Sequence, residues 1–512
     1  MVPSRRDGWP RSPVRPVLVL GTLALLSGCA VGPDFRRPAA PAVEGYARPS
    51  LAATTPSADV AGGHAQRLIP GQDVPSDWWT LFRSPALNRL VEQAFRTSPT
   101  LVAAQQALRQ AMELVVAQRG LFAPTVQASF TPSYQKVSQT LSNPLSSNPN
   151  QFTYSLFTAQ VAVGFTPDIF GSNRRQLETL LGQAEAQRFQ MEAAYTTLAS
   201  NVVAAAIQEA SLHDQITATQ EIIAISTRSL ELVRRQFELG AVAGLDVATQ
   251  EAALAQVQQT LPTLRKQREQ NRNLLIALTG RFPGDDLDET FELTSFELPP
   301  DLPVGVPSRL VEQRPDVRAA EAQLHAASAQ VGIAVASELP QFTITGAVGG
   351  SSTSLGTMFA NGNPFWTIAG NIAHTIFDGG TLLHQQRAAE AAFEQSAAQY
   401  RTTVISAFQN VADALYALQA DAETLKAAVA AEQATKTTLD ITTEAQRLGA
   451  VNYLAVLSAQ QAYRQALLAR VQAQAARLSD TVALFQTVGG GWWNRPELGA
   501  APTSARSSER AR

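Results

Sequence analysis

Over Thr125–Phe130 the side chains alternate one by one. Val126, Ala128 and Phe130 fall on one face, and Thr125, Gln127 and Ser129 on the other. A period of two predicts a strand with one apolar face. After a Ser-, Asn- and Pro-rich loop from Ser138 to Asn150, alternation resumes with Val161, Val163 and Phe165 against Gln160, Ala162 and Gly164. The arrangement returns downstream, where Phe342, Ile344 and Gly346 alternate with Gln341, Thr343 and Thr345. A Gly/Ser-rich loop is expected from Gly349 to Asn363, and Trp366, Ile368, Gly370 and Ile372 form one face of a fourth strand.

Between Gly171 and Gly240 there is no proline, and the apolar period becomes helical. Leu212, Ile216, Thr219, Ile223, Ser226, Leu230, Val233 and Phe237 are spaced alternately four and three, a coiled-coil seam diluted by small polar residues. Such a helix reaches about 100 Å at about 1.5 Å per residue. It should turn at Gly240 and Gly244 and return through a helix from Asp246 to Leu278 that carries Pro262. A polar, Pro-rich excursion spans Arg281 to Pro307, and Arg309 to Glu338 is helical again. A second long helix opens at Gly379-Gly380 and reaches Leu448, with Leu415, Leu418, Ala422, Leu425 and Val429 as its seam. Its return helix runs from Asn452 to about Val488. Upstream, Pro85 to about Phe122 reads as helical with Pro99 inside it. Residues 30–84 show no sustained period and read as an extended tether and wrapping segment, and the tail after Gly489-Gly490-Gly491 reads as loose.

The scheme is therefore written twice. Leu239-Gly240-Ala241-Val242 is answered by Leu448-Gly449-Ala450-Val451, and Thr279-Gly280 by Val488-Gly489, both at an offset of 209 residues. Ser98-Pro99 is answered by Arg314-Pro315 at an offset of 216, and Ile169-Phe170-Gly171 by Ile376-Phe377-Asp378-Gly379. A solenoid unit is about 20 to 50 residues long, so this is a duplicated half-protein.

Composition sharpens the picture. The formal net charge of −3 gives no reason to expect a nucleic-acid partner. Charged residues make up 16% of the chain, below the roughly 25% of soluble domains, which suits closely packed helices and a surface partly away from water. Past the N-terminal segment no apolar run is long enough for a transmembrane helix, so a membrane span would have to be a closed β-barrel. Residues 1–28 look like a signal peptide, with Arg5, Arg6, Arg11 and Arg15 ahead of the apolar stretch Val17 to Leu26. Leu26-Ser27-Gly28-Cys29 then resembles the bacterial lipobox, which implies lipidation of Cys29, the only cysteine. Ala30 after it favours the outer membrane.

Four strands cannot close a transmembrane barrel, since the smallest have about eight. An open edge in lipid leaves backbone groups unpaired at several kcal/mol each. Three copies supply 12 strands, and a symmetric homotrimer is the simplest ring. The fold class expected is mainly α with a transmembrane β-barrel portion: a trimeric 12-stranded barrel, four strands per chain, continuous with a long α-helical barrel.

Several segments together resemble the TolC-like outer membrane efflux proteins, specifically the NodT/OprM-type lipoproteins. These are Gly28-Cys29-Ala30-Val31-Gly32-Pro33-Asp34-Phe35, Arg314-Pro315-Asp316-Val317-Arg318-Ala319-Ala320-Glu321, Ile376-Phe377-Asp378-Gly379-Gly380 and Arg447-Leu448-Gly449-Ala450-Val451-Asn452-Tyr453-Leu454. The resemblance covers residues 29 to 490. It implies a homotrimeric duct from outer membrane to periplasm that docks with a periplasmic adaptor and an inner-membrane pump of the RND type. The organisation that follows is a lipoprotein signal peptide at 1–28, a lipidated tether and equatorial segment at 29–84, and a first repeat at 85–280. An equatorial connector at 281–308, a second repeat at 309–490 and a tail at 491–512 complete it. Pro167 departs from the family pattern and should end the second strand. Val451, Ala455 and Ser458 stand where relatives often carry acidic pore residues.

Gly240 and Gly449 suit helix C-caps with positive φ. Together with Gly244, they are also where the resemblance places adaptor docking. Asp246 reads as an N-cap for the return helix, and its match to an acidic residue of relatives makes it a candidate for aperture gating. Asp440, Glu444 and Arg447 share one helix face, either a solvated surface or, tripled by symmetry, a charged ring. Trp78-Trp79 and Trp492-Trp493 are expected to pack in an equatorial collar. His64, His213, His325, His374 and His384 share no metal-ligand spacing, and no phosphate-binding loop occurs, so no cofactor is expected and an enzyme is the weakest reading. The competing readings are a type I protein secretion duct and a periplasmic coiled-coil lipoprotein without a pore.

Overall fold

The computed structural model describes residues 30–43, 45–46, 52–136, 153–287 and 289–495. The signal peptide, Cys29, the loop Ser138 to Asn150 and the tail beyond residue 495 lie outside the described residues. In chain order the elements are β1 (Arg67–Pro70), α1 (Pro85–Thr97), α2 (Pro99–Gly120), β2 (Thr125–Lys136), β3 (Thr153–Phe165), α3 (Ser172–Glu238) and α4 (Gly244–Leu278). Then come β4 (Asp301–Val304), α5 (Pro307–Gln313), α6 (Pro315–Ser337), β5 (Gln341–Ser352), β6 (Pro364–Ala373), α7 (Thr381–Arg447) and α8 (Tyr453–Thr487). They form two compact units, each built from both halves of the repeat. The first comprises Met1–Arg37, Arg109–Glu185 and Ala322–Ala398, and the second Pro38–Leu108, Ala186–Glu321 and Gln399–Arg512.

In the first unit β2, β3, β5 and β6 make one antiparallel sheet in that order. The helices that follow the strands open on aspartate caps. Asp168 accepts from the backbone N–H groups of Asn173 (2.9 Å) and Arg174 (3.0 Å), and Asp378 from those of Gly380 (2.8 Å) and Leu382 (2.7 Å). Each cap fills donors that a helix N-terminus leaves open. The N–H groups of Leu382 and Gly380 hold the Asp378 carboxyl below its ordinary range.

In the second unit the return helices lie on the long ones along the expected seams. Leu212, Ile216, Thr219, Ser226, Leu230 and Val233 of the first seam are buried, while Phe237 is half exposed; all five residues of the second seam are buried. Ala218 and Ile222 of α3, Val257 of α4, Leu439 of α7 and Tyr463 of α8 meet in one apolar cluster. An aromatic core stands apart, where Trp78 stacks on Phe485 at 5.2 Å between ring centroids and both are buried.

Five expectations are corrected. The helical stretch from Pro85 breaks at Ser98, and that from Arg309 begins at Pro307 and breaks at Arg314. In both cases a proline fixes the next helix's first turn and forces its predecessor to extended backbone. Residues 30–84 are not extended throughout: a 3-10 turn covers Trp78–Phe82, while β1 is extended and pairs in parallel with β4. The loop expected at Gly349 starts later, because β5 continues to Ser352 beside β3, while its pairing with β6 ends at Gly350. The start of the tail is ordered, since Trp492 packs edge-on against Phe189 and donates from Nε1 to the Gln313 carbonyl at 2.6 Å.

Candidate channel wall and turn sites

The register of the sheet sorts its side chains by face. Val126 lies opposite Val163, Ala128 opposite Val161, Val161 opposite Val348, and Val348 opposite Trp366. Directly opposed residues share a face. That face is therefore apolar across all four strands, and Ile368 and Ile372 extend it along β6. Val126, Phe130, Val348, Trp366, Ile368 and Ile372 are all more than half exposed. Gln127, Ser129, Gln160, Thr343, Thr345 and Asn371 occupy the other face. An exposed apolar face backed by a polar one is what a lipid-facing wall around a water-filled lumen requires. The strands have 12, 13, 12 and 10 residues, enough to cross a bilayer when tilted, which takes about 9 to 11. Among the described residues β2 and β6 each have one unpaired edge.

Sequence reasoning missed the cluster that fixes the segment following Cys29. Arg175 is almost fully buried, and it donates to the Val31 carbonyl (3.0 Å), the Gly32 carbonyl (3.3 Å), Asp34 (2.8 Å) and Glu178 (2.8 Å). His325 stands 2.8 Å from Glu178 and stacks on Phe35 at 4.4 Å. No periodicity could have paired Arg175 with residues more than a hundred positions away. The Asp34-Phe35 end of the opening motif was the available signal.

In the second unit the two helix turns close identically. The Ala241 N–H donates to the Gln236 carbonyl and the Gly240 N–H to that of Phe237; Ala450 and Gly449 do the same to Ala445 and Gln446. This is the Schellman pattern, which needs positive φ at the glycine. Gly240 has φ 76° and Gly449 φ 77°. Gly244 begins α4 and faces the Phe237 ring. The turns are neighbours. Val233, Tyr453 and Leu457 form a cluster joined by Val242 and Val247, and Gln446 donates to Gln236 at 3.4 Å. Leu239, Leu245, Leu448 and Leu454 project exposed around them.

Asp246 is not the expected N-cap, because α4 begins two residues before it; Ala243 holds the cap position and Asp246, in the first turn, accepts from the Ala243 N–H at 3.0 Å. It also acts on Tyr453, whose hydroxyl is buried without a hydrogen-bond partner among the described residues. Burial foremost, and then Asp246, push that phenol up to about 12. Glu444 and Arg447 form an exposed two-pronged ion pair, with contacts of 2.8 and 2.6 Å, and Asp440 is exposed one turn earlier. The Arg447 hydrogen bond holds the Glu444 carboxyl below its ordinary range. Tyr453 is the turn residue that sequence reasoning passed over, although it sits within the Asn452-Tyr453-Leu454 motif.

Among the described residues no helix is long and apolar enough to cross a membrane. The sheet is the element with an exposed apolar face and a polar reverse, and the long helices carry the turns. These features fit an outer membrane channel protein built from a two-faced antiparallel sheet and long paired helices. Residues 90–281 and 306–490 match the family described as outer membrane efflux protein, and the chain belongs to that family. It is 29% identical over 450 residues to the pyoverdine export outer membrane protein OpmQ of Pseudomonas putida, covering 86% of this chain and 95% of that one. It is 28% identical over 479 residues to the toluene efflux pump outer membrane protein TtgC of Pseudomonas putida, covering 93% and 95%. The solved structure of the outer-membrane channel OprN superposes with a TM-score of 0.81 at 25% identity, covering 91% of this chain and all of that one. The chain is thus an outer membrane efflux channel protein, not an enzyme.

Proposed function

We propose that three copies of this chain join the free edges of β2 and β6 into a 12-stranded barrel and pool their long helices into an α-helical barrel, forming a passive duct. The observation that carries this reading is the sheet itself, two-faced in register and open at both edges. Edges of that kind in hydrocarbon must be paired, and copies of the same chain supply matching ones. The duct is anchored by lipid on Cys29, and its halves comprise residues 85–280 and 309–490.

The duct serves a tripartite system that exports small molecules. The relatives named for pyoverdine export and toluene efflux support that class of cargo. Gly240, Gly244 and Gly449 set the turns at which a periplasmic adaptor docks, and the exposed leucines beside them give the adaptor an apolar grip. An inner-membrane RND-type pump supplies the energy. Asp246 and the Asp440, Glu444 and Arg447 face hold the aperture, with Arg447 neutralising Glu444 so that symmetry-related carboxylates can approach without repelling it open.

The test is reconstitution of the lipidated protein in a planar bilayer. Discrete single-channel openings from a trimeric species are expected. A folded trimer that stays silent, both as the natural chain and with Asp246→Ala, would overturn the duct.

A further inference from the structure

The segment from Thr55 to Gln66 is a strap fastened to one face of α8. Gln474 donates to the Ala61 carbonyl at 2.8 Å. Arg477 Nη2 donates to the Thr55 hydroxyl at 3.1 Å and the His64 carbonyl at 2.5 Å. Gln66 donates to the Thr481 hydroxyl at 3.3 Å. Residues 474, 477 and 481 are spaced three and four, so they share that face. Ala58 and Val60 of the strap pack on Leu425 and Val429 of α7 and on Ala473 of α8.

Arg477 is the anomaly in this arrangement. It is fully buried, yet its Nε and Nη1 donate to nothing among the described residues. Asp421, one turn before Leu425 on α7, has a buried Oδ2 that likewise meets no donor. Its neighbours are the carboxylate of Asp480, three residues beyond Arg477, and Arg477 itself. Two ionised carboxylates side by side repel strongly when withdrawn from water. One proton between them resolves the conflict. It gives Asp421 Oδ2 a hydrogen to donate to Asp480 and leaves one negative charge facing one buried cation.

We propose that Asp421 and Asp480 hold one proton between them beneath the strap, and that this proton sets how firmly Arg477 grips Thr55–Gln66. With the proton in place the triad is neutral, and Arg477 is free to hold the Thr55 hydroxyl and the His64 carbonyl. Without it, two negative charges face one guanidinium whose Nε and Nη1 are unoccupied, and they draw Arg477 away from the strap. The charged groups acting on Asp421 are Asp480 and Arg477, both on α8. The strap presents a hydroxyl and a carbonyl to Arg477.

The direction of the effect follows from the environment. Burial and then Asp480 push the Asp421 carboxyl up to about 7, against the opposing pull of Arg477. Burial lowers Arg477 to about 10, so it keeps its charge near neutrality. An acid held above its unfolded value of 3.8 stabilises the fold at low pH. That stabilisation declines as pH rises through the folded value. The grip is therefore tight in acid and loosens above neutrality.

The experiment is amide hydrogen exchange across the strap in the full-length lipidated protein, corrected for intrinsic rates, at about pH 5.5 and about pH 8.5, on either side of the raised value. Protection of the strap should fall about tenfold or more on the alkaline side, as linkage predicts. Protection along α8 should be steady. Asp421→Asn keeps a neutral hydrogen-bonding group and should abolish the pH dependence. It should also remove a carboxylic-acid infrared band that titrates near neutrality in the natural chain. Should that variant fail to fold, Asp480→Asn reads the same dependence. Strap protection independent of pH in the natural chain, or an unchanged dependence in a folded variant, would overturn the proposal.

Discussion

A Cβ on Gly489 would stand 2.8 Å from the carbonyl oxygen of Gln313. Gly280 approaches the Thr97 carbonyl in the same way, and closer still. The two encounters are equivalents in the repeat: each places the end of a return helix against the proline break of a helix pair. Both glycines also have positive φ, 101° and 73°. Gly489→Ala and Gly280→Ala should each cost about 2–4 kcal/mol, since backbone strain and overlap add. Denaturant midpoints measured on both variants check this, and loss by only one would break the equivalence.

Glu209 is fully buried and accepts from Arg268 at 2.8 Å and from Arg272 at 3.5 Å, tying α3 to α4. Its second oxygen has no partner among the described residues. Removing Arg268 leaves the buried Glu209 charge only the longer contact with Arg272. Arg268→Ala is therefore expected to destabilise by about 2–3 kcal/mol, whereas Arg234→Ala, which breaks an exposed pair with Glu251, should cost under about 1 kcal/mol. Thermal unfolding of the two variants side by side separates these cases.

The faces of the sheet make opposite predictions. Ile368→Arg puts a charge on the apolar face and should cost about 2–4 kcal/mol if that face meets lipid near mid-bilayer. Asn371→Arg, three residues on but on the polar face, should leave insertion intact and change ion selectivity. Folding into lipid vesicles and reversal potentials read the two outcomes. Equal sensitivity at both positions would remove the assignment of faces.

At the turns, Asp246→Ala removes the bond to the Ala243 N–H, worth about 1 kcal/mol. It should raise single-channel conductance while leaving trimers intact. Asp440→Ala should do likewise. Conductance unchanged in both would leave Asp246 with its helix-end role alone.

Much of the fold was legible in the sequence because its signals are local and periodic. Val161, Val163, Ile344 and Trp366 announced their faces by alternation, and Leu415 to Val429 announced a seam by spacing. The glycines of the turns were visible because positive φ is a local demand. What escaped was non-local and polar. Nothing in Arg67–Pro70 predicts pairing with Asp301–Val304, and nothing in Arg175 or Arg477 tells which distant carbonyls each will hold. Buried arginines in particular look like surface residues until the partner segment is in place.

The bonds between Gln66 and Thr481 and between Thr55 and Arg477 join residues 415 and 422 positions apart. Closing so large a loop adds only slowly to the entropy cost, but it delays the event until the far end of the chain exists. A polypeptide emerging from its N-terminus can assemble α3 and α4 while the strap still has no surface to lie on. Only the arrival of α8 gives Thr55 and Gln66 their partners. A product cut short before Arg477 would leave that strap loose and open to proteases. The order of synthesis thus becomes a test of completeness, applied by the fold itself.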